Sequence, residues 1–239
     1  MRWRLLRLNW AYGVGELVIV VAGVMIALGF EQWNSDRLDR VEEVEIIGRF
    51  IADLQSDFDV ISGGLNIVSR KEASLDRVYS SLETPVNRPT ELLEFLYDVA
   101  SGASFGWDQG SARRTTFDEV LASGKFGLIR DTAIRVQISD YYEGDLRRTA
   151  RIDERETGYA DLSYSLVPRV DGGNTALPEL SDAQQARLVD QVFSSLEPSQ
   201  VAAELNFARY VNAGFTGWKA TCLDLIDELE TYREALGHE

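Results

Sequence analysis

Residues 11–30 decide the fold, and they read AYGVGELVIVVAGVMIALGF, with Glu16 as the single charged side chain. At 1.5 Å per residue a helix of this length is about 30 Å long, which matches the hydrocarbon thickness of a bilayer. Trp10 and Trp33 flank the stretch, and indole rings prefer the two interfaces of a membrane. The stretch therefore predicts a transmembrane helix, with the lipid bilayer as its partner.

The charges on either side of this stretch predict its orientation. Arg2, Arg4 and Arg7 precede it, whereas acidic residues dominate the rest of a chain whose net charge is −15. By the positive-inside rule, the arginine side stays in the cytoplasm. We therefore expect a cytoplasmic N-terminus over residues 1–10, the transmembrane helix over 11–30 and an extracytoplasmic α-helical domain over 31–239.

A cleaved signal peptide is the alternative for the same stretch. Ala27-Leu28-Gly29 has the small-x-small form of a cleavage site, and it follows an apolar run of suitable length. The residues after Gly29 continue in helical character without a break, which favours an anchor that stays on the chain.

Apolar residues recur at steps of three and four along the first part of the extracytoplasmic domain. The series is Val44, Ile47, Ile51, Leu54, Phe58, Ile61, Leu65, Val68, Leu75, Tyr79 and Leu82, broken only by Glu72. This spacing predicts one long helix with a narrow, coiled-coil-like seam, continuous with the membrane span and ended by Pro85 and Pro89. Gly63 and Gly64 lie off the seam, and each costs about 1 kcal/mol in helix propensity, so we expect a local irregularity there.

Capping motifs divide the middle of the chain into further helices. Thr116-Phe-Asp-Glu119 predicts a capping box that opens a brief helix, which Gly124 closes. Asp131 is expected to cap a long helix that extends up to Pro168. Ser181-Asp-Ala-Gln184 predicts a second capping box at the start of another helix.

A second long apolar series follows near the C-terminus. Its members are Val201, Leu205, Ala208, Val211, Phe215, Trp218, Cys222, Leu225, Leu229 and Tyr232. Two narrow stripes of similar length each need a partner, so we expect the first and last long helices to pair, with the last returning toward the membrane. An oligomer interface at one of the two seams is the alternative. The predicted fold class is all-α: an N-terminal transmembrane helix that continues into an extracytoplasmic helical bundle with two long heptad-patterned helices.

Composition excludes several classes of function. A net charge of −15 repels the phosphates of nucleic acid, so no nucleic-acid partner is expected. Cys222 is the single cysteine, predicted to be buried, and His238 is the single histidine, in a tail expected to fray. These two facts exclude Ser-His-Asp and Cys-His catalysis and His/Cys zinc sites within one chain. We therefore predict a protein that is not an enzyme, with no catalytic, cofactor-binding or metal-binding residues and no cofactor. The carboxylates Asp224, Asp227, Glu228 and Glu230 indicate a solvated helix face.

Three residues of the membrane span are candidate contacts with another helix. Glu16 lies about one turn past the inner interface, where its carboxylate is expected to reach the headgroups or a neighbouring helix. Gly23 and Ala27 form a small-xxx-small pair that lets a second helix approach closely.

Arg113 and Arg114 form the second candidate site, a contact for an anion or for an acidic partner. The pair follows a glycine-rich loop and precedes a predicted helix. An ion pair between this site and Asp108 or Asp118 is the alternative.

Two segments resemble a family of small bacterial single-pass inner-membrane proteins of uncharacterised function. The first contains Gly15-Glu16, Gly23-Val-Met-Ile-Ala-Leu28 and Trp33-Asn34, and the second contains Thr116-Phe-Asp-Glu-Val-Leu-Ala-Ser-Gly-Lys-Phe-Gly-Leu-Ile129 and Asp140-Tyr-Tyr142. Together they cover about 60 residues, and neither contains an active-site motif. The resemblance implies the anchored helical architecture in a bacterial inner membrane, and it supplies no catalytic residue. Together with the charge asymmetry, it leads us to expect that the extracytoplasmic domain is periplasmic.

Three functions compete on this basis. The first is a non-enzymatic accessory or interaction protein that associates with another membrane protein or with itself. The second is a periplasmic ligand-binding or sensory bundle, with Trp107, Tyr141, Tyr142 and Trp218 as pocket lining. The third, and the weakest, is a hydrolase that relies on carboxylates alone.

Overall fold

The computed structural model describes residues 10–84, 88–104, 112–153, 157–170 and 176–237, with side chains described except at 10–15 and 145–153. The described part of the chain is all-α, as predicted, and contains no strand. The helices are α1 (Trp10–Glu83), α2 (Leu92–Gly102), α3 (Thr115–Ala122), a short 3-10 helix (Lys125–Leu128), α4 (Thr132–Asp153), α5 (Tyr159–Leu166), α6 (Asp182–Ser195) and α7 (Pro198–Gly237). His238, Trp107 and Asp108 lie outside the described residues.

Helix α1 runs without interruption from the apolar N-terminal stretch into the bundle. Its 74 residues correspond to about 110 Å. Among the described residues it is the one helix long and apolar enough to cross a membrane, and none of its most apolar stretch is buried by the rest of the chain. Burial begins at Glu43 and continues to Leu82, one residue before the helix ends. The predicted continuity of span and bundle is confirmed.

Helix α7 packs antiparallel against the bundle part of α1. The Tyr232 hydroxyl donates to Glu43 at 2.5 Å near the C-terminal end of α7. The Cys222 thiol donates to the Leu54 carbonyl at 3.3 Å in the middle. Arg209 donates to Asp76 at 3.1 Å toward the other end of α1. The predicted pairing of the two long helices is confirmed, and the pairing is antiparallel because increasing residue numbers in α1 meet decreasing residue numbers in α7.

The buried stripe of α1 is broader than the narrow seam predicted. Val44, Phe58 and Leu65 are only partly buried, whereas Phe50 and Gly64 are fully enclosed. The stripe is broad because α2, α3 and the 3-10 helix also pack on α1 beside α7, and several neighbours bury a wider face than one neighbour does.

The expectation of an irregularity at Gly63 and Gly64 is wrong. The helix is continuous through both residues. Gly64 does not lie off the packed face, because an added Cβ there would meet Cε1 of Phe215 at 2.7 Å, whereas nothing lies within 4 Å of a Cβ at Gly63. Position 64 has room only for glycine, because the Phe215 ring of α7 occupies the space that a side chain would need.

The bundle holds two hydrophobic clusters in succession along α1. The cluster nearer the apolar stretch contains Ile46 to Val68 of α1 and side chains of α3, α4 and α7 from Phe207 onward, including Phe117, Tyr142, Phe215 and Trp218. The cluster farther away contains Leu75 to Leu82 of α1 and side chains of α2, α5, α6 and the start of α7, including Phe95, Tyr159, Val192 and Leu205. A buried ion pair between Lys71 and Glu204 lies at the junction of the two clusters.

Helix α3 does not begin with the capping box predicted at Thr116. The helix starts at Thr115, and Thr116 lies within its first turn. The backbone N–H of Thr116 donates to the Asp53 carboxylate of α1 at 3.2 Å. A tertiary acceptor thus satisfies a donor for which a local cap was predicted. Gly124 closes the helix with a left-handed φ of 71°, as expected.

The long helix predicted from Asp131 to Pro168 is two helices. Asp131 caps α4 as expected, because its carboxylate accepts the N–H of Ala133 at 2.7 Å. Helix α4 ends at Asp153, and α5 begins after Gly158, whose φ is 72°. A left-handed residue cannot lie inside a right-handed helix, so Gly158 turns the chain and brings α5 back onto the far cluster.

Candidate functional site

The part of α1 from Glu16 to Val41 carries the largest exposed apolar surface of the described chain. Large side chains there are more than half exposed, and they are Leu17, Val18, Ile19, Val20, Val21, Val24, Met25, Ile26, Leu28, Phe30, Trp33, Leu38 and Val41. An exposed patch of this extent in a folded protein marks contact with a membrane or with another protein.

The three predicted contact residues of the span share one side of this helix. Gly23 follows Glu16 by seven residues and Ala27 follows Gly23 by four, so at 100° per residue all three lie within about 40° of one another. Glu16 and Ala27 are exposed, and nothing lies within 4 Å of a Cβ built on Gly23. The structure brings the three together on an open surface.

This side of α1 points away from the bundle. Nine residues correspond to about two and a half turns of an α-helix, so residues nine apart lie on opposite sides. Asn34 is exposed and is nine residues before the buried Glu43, and Val41 is exposed and is nine residues before the buried Phe50. We call the side of α1 with Glu16, Gly23, Ala27, Phe30, Asn34, Leu38 and Val41 the free face.

The free face extends past the apolar stretch into residues 31–41, which we call the collar. Phe30 and Trp33 pack their rings at 5.6 Å, and Leu38 and Val41 follow higher on the helix, each 61% exposed. The sequence analysis did not single out this extension. The sequence contains a signal for this extension, because the spacing of the apolar residues Phe30, Leu38 and Val41 places them on the same side of a helix as Gly23 and Ala27.

Arg114 is held by contacts within the chain. Its guanidinium donates to the Tyr142 carbonyl at 3.1 Å and pairs with Asp118 at 3.2 Å. It also lies over the Phe117 ring, 5.0 Å from the centroid. The ion pair with Asp118 given as the alternative is present. The side chain of Arg113 is exposed, and its backbone N–H donates to Asp57 at 2.8 Å. Arg114 is thus engaged within the chain, whereas a contact of the pair with an anion or an acidic partner stays a prediction.

Carboxylates inside the buried stripe of α1 accept hydrogen bonds from other segments of the same chain and so hold those segments against α1. Glu43 accepts the Arg130 N–H at 2.7 Å and the Tyr232 hydroxyl. Asp57 accepts the Arg113 N–H and, at 3.0 Å, the Tyr141 hydroxyl. Burial, with the nearby Asp57 charge, raises the pKa of Tyr141 well above its usual range, so this hydroxyl stays a donor.

Sequence reasoning missed these buried charges, although their spacing carries a signal. Glu43, Asp57 and Lys71 follow one another at intervals of two heptads and lie on one side of α1. All three are buried, and each is paired with a polar group of another segment. Their role is structural, since each satisfies donors or charges that the bundle encloses.

The aromatic residues proposed as pocket lining belong mainly to the core. Tyr142 stacks on Phe117 with ring centroids 4.6 Å apart, and Trp218 is buried between Tyr141 and Phe215. Tyr141 also touches the floor of a shallow groove of about 230 Å³ between α4 and α7. The groove is bordered by Gln137, Asp140, Thr221, Asp224, Leu225 and Glu228. Its three carboxylate residues are exposed to solvent.

Cys222 is buried, as predicted. Burial raises the pKa of its thiol to about 11, and the thiol donates to the Leu54 carbonyl. A thiol with this pKa is protonated at neutral pH and is a poor nucleophile. Within the described ranges, no group of three or more His, Cys, Asp and Glu side chains is placed to hold a metal ion.

No family model matches the chain, and no curated protein or solved structure does either. The resemblance to the family of small bacterial single-pass proteins therefore stays a prediction.

Proposed function

We propose that the chain is a membrane-anchored, non-enzymatic accessory or interaction protein that associates with another membrane protein through the free face of α1. The observation that carries this proposal is the free face itself, an apolar surface that begins within the candidate membrane span and continues through the collar while the bundle packs on the opposite side of the same helix. A surface left open along this length of helix has room for a second helix beside it.

Lipid accounts for only part of this surface. If the hydrocarbon layer ends near Phe30, Leu38 lies about 12 Å and Val41 about 16 Å beyond it. Headgroups occupy roughly 5–8 Å on each side of a bilayer, so both side chains stand in water unless a protein covers them. The collar therefore favours a protein partner, whereas the apolar stretch alone would need only lipid.

The proposed location follows from charge. Arg2, Arg4 and Arg7 precede the span, and positive residues are retained on the cytoplasmic side. The proposal accordingly places the N-terminus in the cytoplasm and the acidic bundle in the periplasm of a bacterium, with α1 crossing the inner membrane once. The resemblance of the span and of the segment around Ser123-Gly124 to small bacterial membrane proteins agrees with this placement.

Photo-cross-linking from the two sides of α1 tests the proposal. A photoreactive side chain is placed at Ala27 or Leu38 on the free face, or at Gln32, which is nine residues before Val41 and lies on the opposite side. Each full-length variant is expressed at its native level and irradiated in intact membranes. Adducts with a membrane protein are expected from Ala27 and Leu38 and not from Gln32. Absence of adducts from both free-face positions, with a chain that purifies as a lone monomer, would contradict the proposal.

The other two functions stay predictions. A ligand-binding bundle and a carboxylate hydrolase would both need an enclosed pocket, and the groove between α4 and α7 is open, with exposed carboxylates at Asp140, Asp224 and Glu228. Exposed carboxylates are satisfied by water and require no ligand.

A further inference from the structure

We propose that the protein covering the free face is a second copy of this chain, which forms a parallel, two-fold symmetric dimer along α1. This inference rests on the proposed function and names its partner. It is carried by the register of the free face, by the position of the bundle and by the charge of the collar.

The free face has the register of a two-stranded parallel helix pair. Ala27, Asn34 and Val41 follow one another at intervals of seven, and Gly23 and Phe30 precede Ala27 and Asn34 by four residues. These are the a and d positions of a heptad repeat, which face their own equivalents across a two-fold axis. The small residues Gly23 and Ala27 allow close approach inside the bilayer.

The flanking positions of the collar also fit this arrangement. In a parallel pair, a g residue of one helix meets the e residue five positions later on the other. Trp33 and Leu38 occupy these g and e positions and are 57% and 61% exposed. The Trp33 ring of each copy therefore covers Leu38 of the other, so the two-fold axis buries the same apolar pair twice.

Asn34 favours a second copy over an unrelated helix. It is an exposed polar residue in the middle of the apolar free face, and an amide both donates and accepts hydrogen bonds. Across a two-fold axis it meets an identical amide that supplies both groups, and a single Asn at an a position specifies register and a two-stranded state. The next d position, Arg37, lies in the water phase, where its long side chain turns outward to keep its charge solvated.

Charge permits two copies to approach at the collar. The collar contains three acidic and two basic residues, a net charge of −1. Residues 1–30 carry a net charge of +2. Because the whole chain carries −15, residues 42–239 carry −16. The bundle of each copy lies on the outer side of its own α1, so the two strongly acidic bodies are separated by both helices. At physiological ionic strength, charges more than about 8 Å apart are largely screened.

The surface involved is adequate for a dimer and is limited at its upper end. Phe30, Trp33, Leu38 and Val41 each expose roughly 100–150 Å², so two copies bury on the order of 1,000 Å² there, and the contact within the bilayer adds to this. Stable interfaces bury about 1,200–2,000 Å² in total. Above Val41 the side of α1 that continues the free face becomes polar and exposed, at Glu45, Gln55, Asp59, Asn66 and Arg70, so the contact ends at the base of the bundle.

Disulfide cross-linking in intact membranes tests the dimer. The variants Asn34→Cys and Val41→Cys place thiols on the proposed axis, and Gln32→Cys places one on the opposite side of the collar. Cys222 is retained in all of them, because its thiol is buried and unreactive and the unmodified chain then sets the background. Disulfides form only where Cα atoms approach within about 7 Å, so mild oxidation is expected to give at least about tenfold more cross-linked product at the two axis positions.

The mass of the product separates the two proposals. The expected product has twice the 26.8 kDa of one chain, and two differently tagged copies are expected to be isolated together. Adding Val41→Asp to Asn34→Cys is expected to abolish the product, whereas adding Gln32→Asp is not. A product with a different protein would overturn the dimer and leave the proposed function standing. Equal yields at all positions would overturn the dimer, and a monomer without any product would overturn both proposals.

Discussion

Gly63 and Gly64 are neighbours in α1 and are expected to respond to alanine in opposite directions. At Gly63 the space around a new Cβ is open, with nothing within 4 Å. At Gly64 the same Cβ would lie 2.7 Å from Cε1 and 3.0 Å from Cζ of Phe215. The Phe215 ring is buried beside Trp218, with ring centroids 6.1 Å apart, so it has little room to move.

The two substitutions share one favourable effect and differ in one unfavourable effect. Alanine in place of glycine inside a helix gains about 1 kcal/mol in propensity, which Gly63→Ala is expected to show in full. Overpacking of a filled core costs about 1–3 kcal/mol, and a Cβ 2.7 Å from a buried ring forces the ring or the backbone to shift, so the upper part of that range, about 2–3 kcal/mol, applies at Gly64. After the gain in helix propensity, Gly64→Ala is expected to lose about 1–2 kcal/mol net. For a chain of this size each kcal/mol shifts the melting temperature by about 2–4 °C, so the two variants should differ by about 5–10 °C.

Thermal unfolding of the full chain in detergent, followed by far-ultraviolet circular dichroism, measures this difference. Phe215→Leu removes the ring edge that the new Cβ meets, so the penalty of Gly64→Ala should shrink by more than half in that background. If Gly64→Ala were as stabilising as Gly63→Ala, the packing of α7 against α1 at this point would be refuted.

Two further predictions concern buried charge and pH. Lys71→Met leaves Glu204 buried without its cation and is expected to lower the free energy of unfolding by about 3–5 kcal/mol, measured by chemical unfolding. The double variant Lys71→Met with Glu204→Met should recover most of this loss. Asp190→Asn, which removes an exposed ion pair, should cost under about 1 kcal/mol. A double variant as unstable as Lys71→Met would contradict this account. Burial raises the pKa of Cys222 from 9.0 to about 11 and that of Tyr232 from 10.0 to about 12, so the folded chain keeps protons that the unfolded chain releases, and the free energy of unfolding should be level below about pH 9 and fall from there to pH 12. Tyr232→Phe should make this fall shallower above about pH 10 without abolishing it, because Tyr141, whose pKa burial also raises, still keeps its proton in the folded chain. An unchanged profile would show that the Tyr232 hydroxyl does not titrate as described.

The pairing of α1 with α7 was predictable because periodicity reports burial directly. Phe215, Trp218 and Cys222 recur at steps of three and four, and all are buried against α1. A side chain placed on one face of a helix has to pack somewhere, and two unsatisfied faces of similar length pair. The end of α1 was predictable on a different ground, since proline cannot continue a helix.

Helix starts and breaks within the body were predicted less well, because distant residues decide them. Thr116 has a local capping pattern, but the acceptor that its N–H uses is Asp53, more than sixty residues earlier. Gly158 lies in a stretch of helical composition, and although glycine adopts a left-handed conformation readily, nothing local requires it there; it is the packing of Tyr159 and the rest of α5 on the far cluster that uses the turn. Local motifs in a single sequence do not show which distant residue will replace a local cap or which helix a turn will pack against.

Part of the candidate site was likewise predictable from the sequence, and part was not. Gly23 and Ala27 were found because small residues at that spacing have a known use between membrane helices. Leu38 and Val41 were missed because an apolar residue in a helix is expected to be buried, and only the structure shows that this side of α1 faces away from the bundle. Arg114 was singled out for its charge, which the fold uses internally.

In the proposed topology α1 crosses the membrane once and the bundle lies outside the cytoplasm. Labelling with a membrane-impermeant maleimide in cells with a permeabilised outer membrane tests this directly, using Ser199→Cys at the exposed start of α7 and Leu5→Cys before the span. With this topology, Ser199→Cys is expected to react before the inner membrane is lysed and Leu5→Cys only afterwards, both on a full-length chain. Protection of Ser199→Cys until lysis, or a bundle released from membranes without residues 1–30, would contradict it.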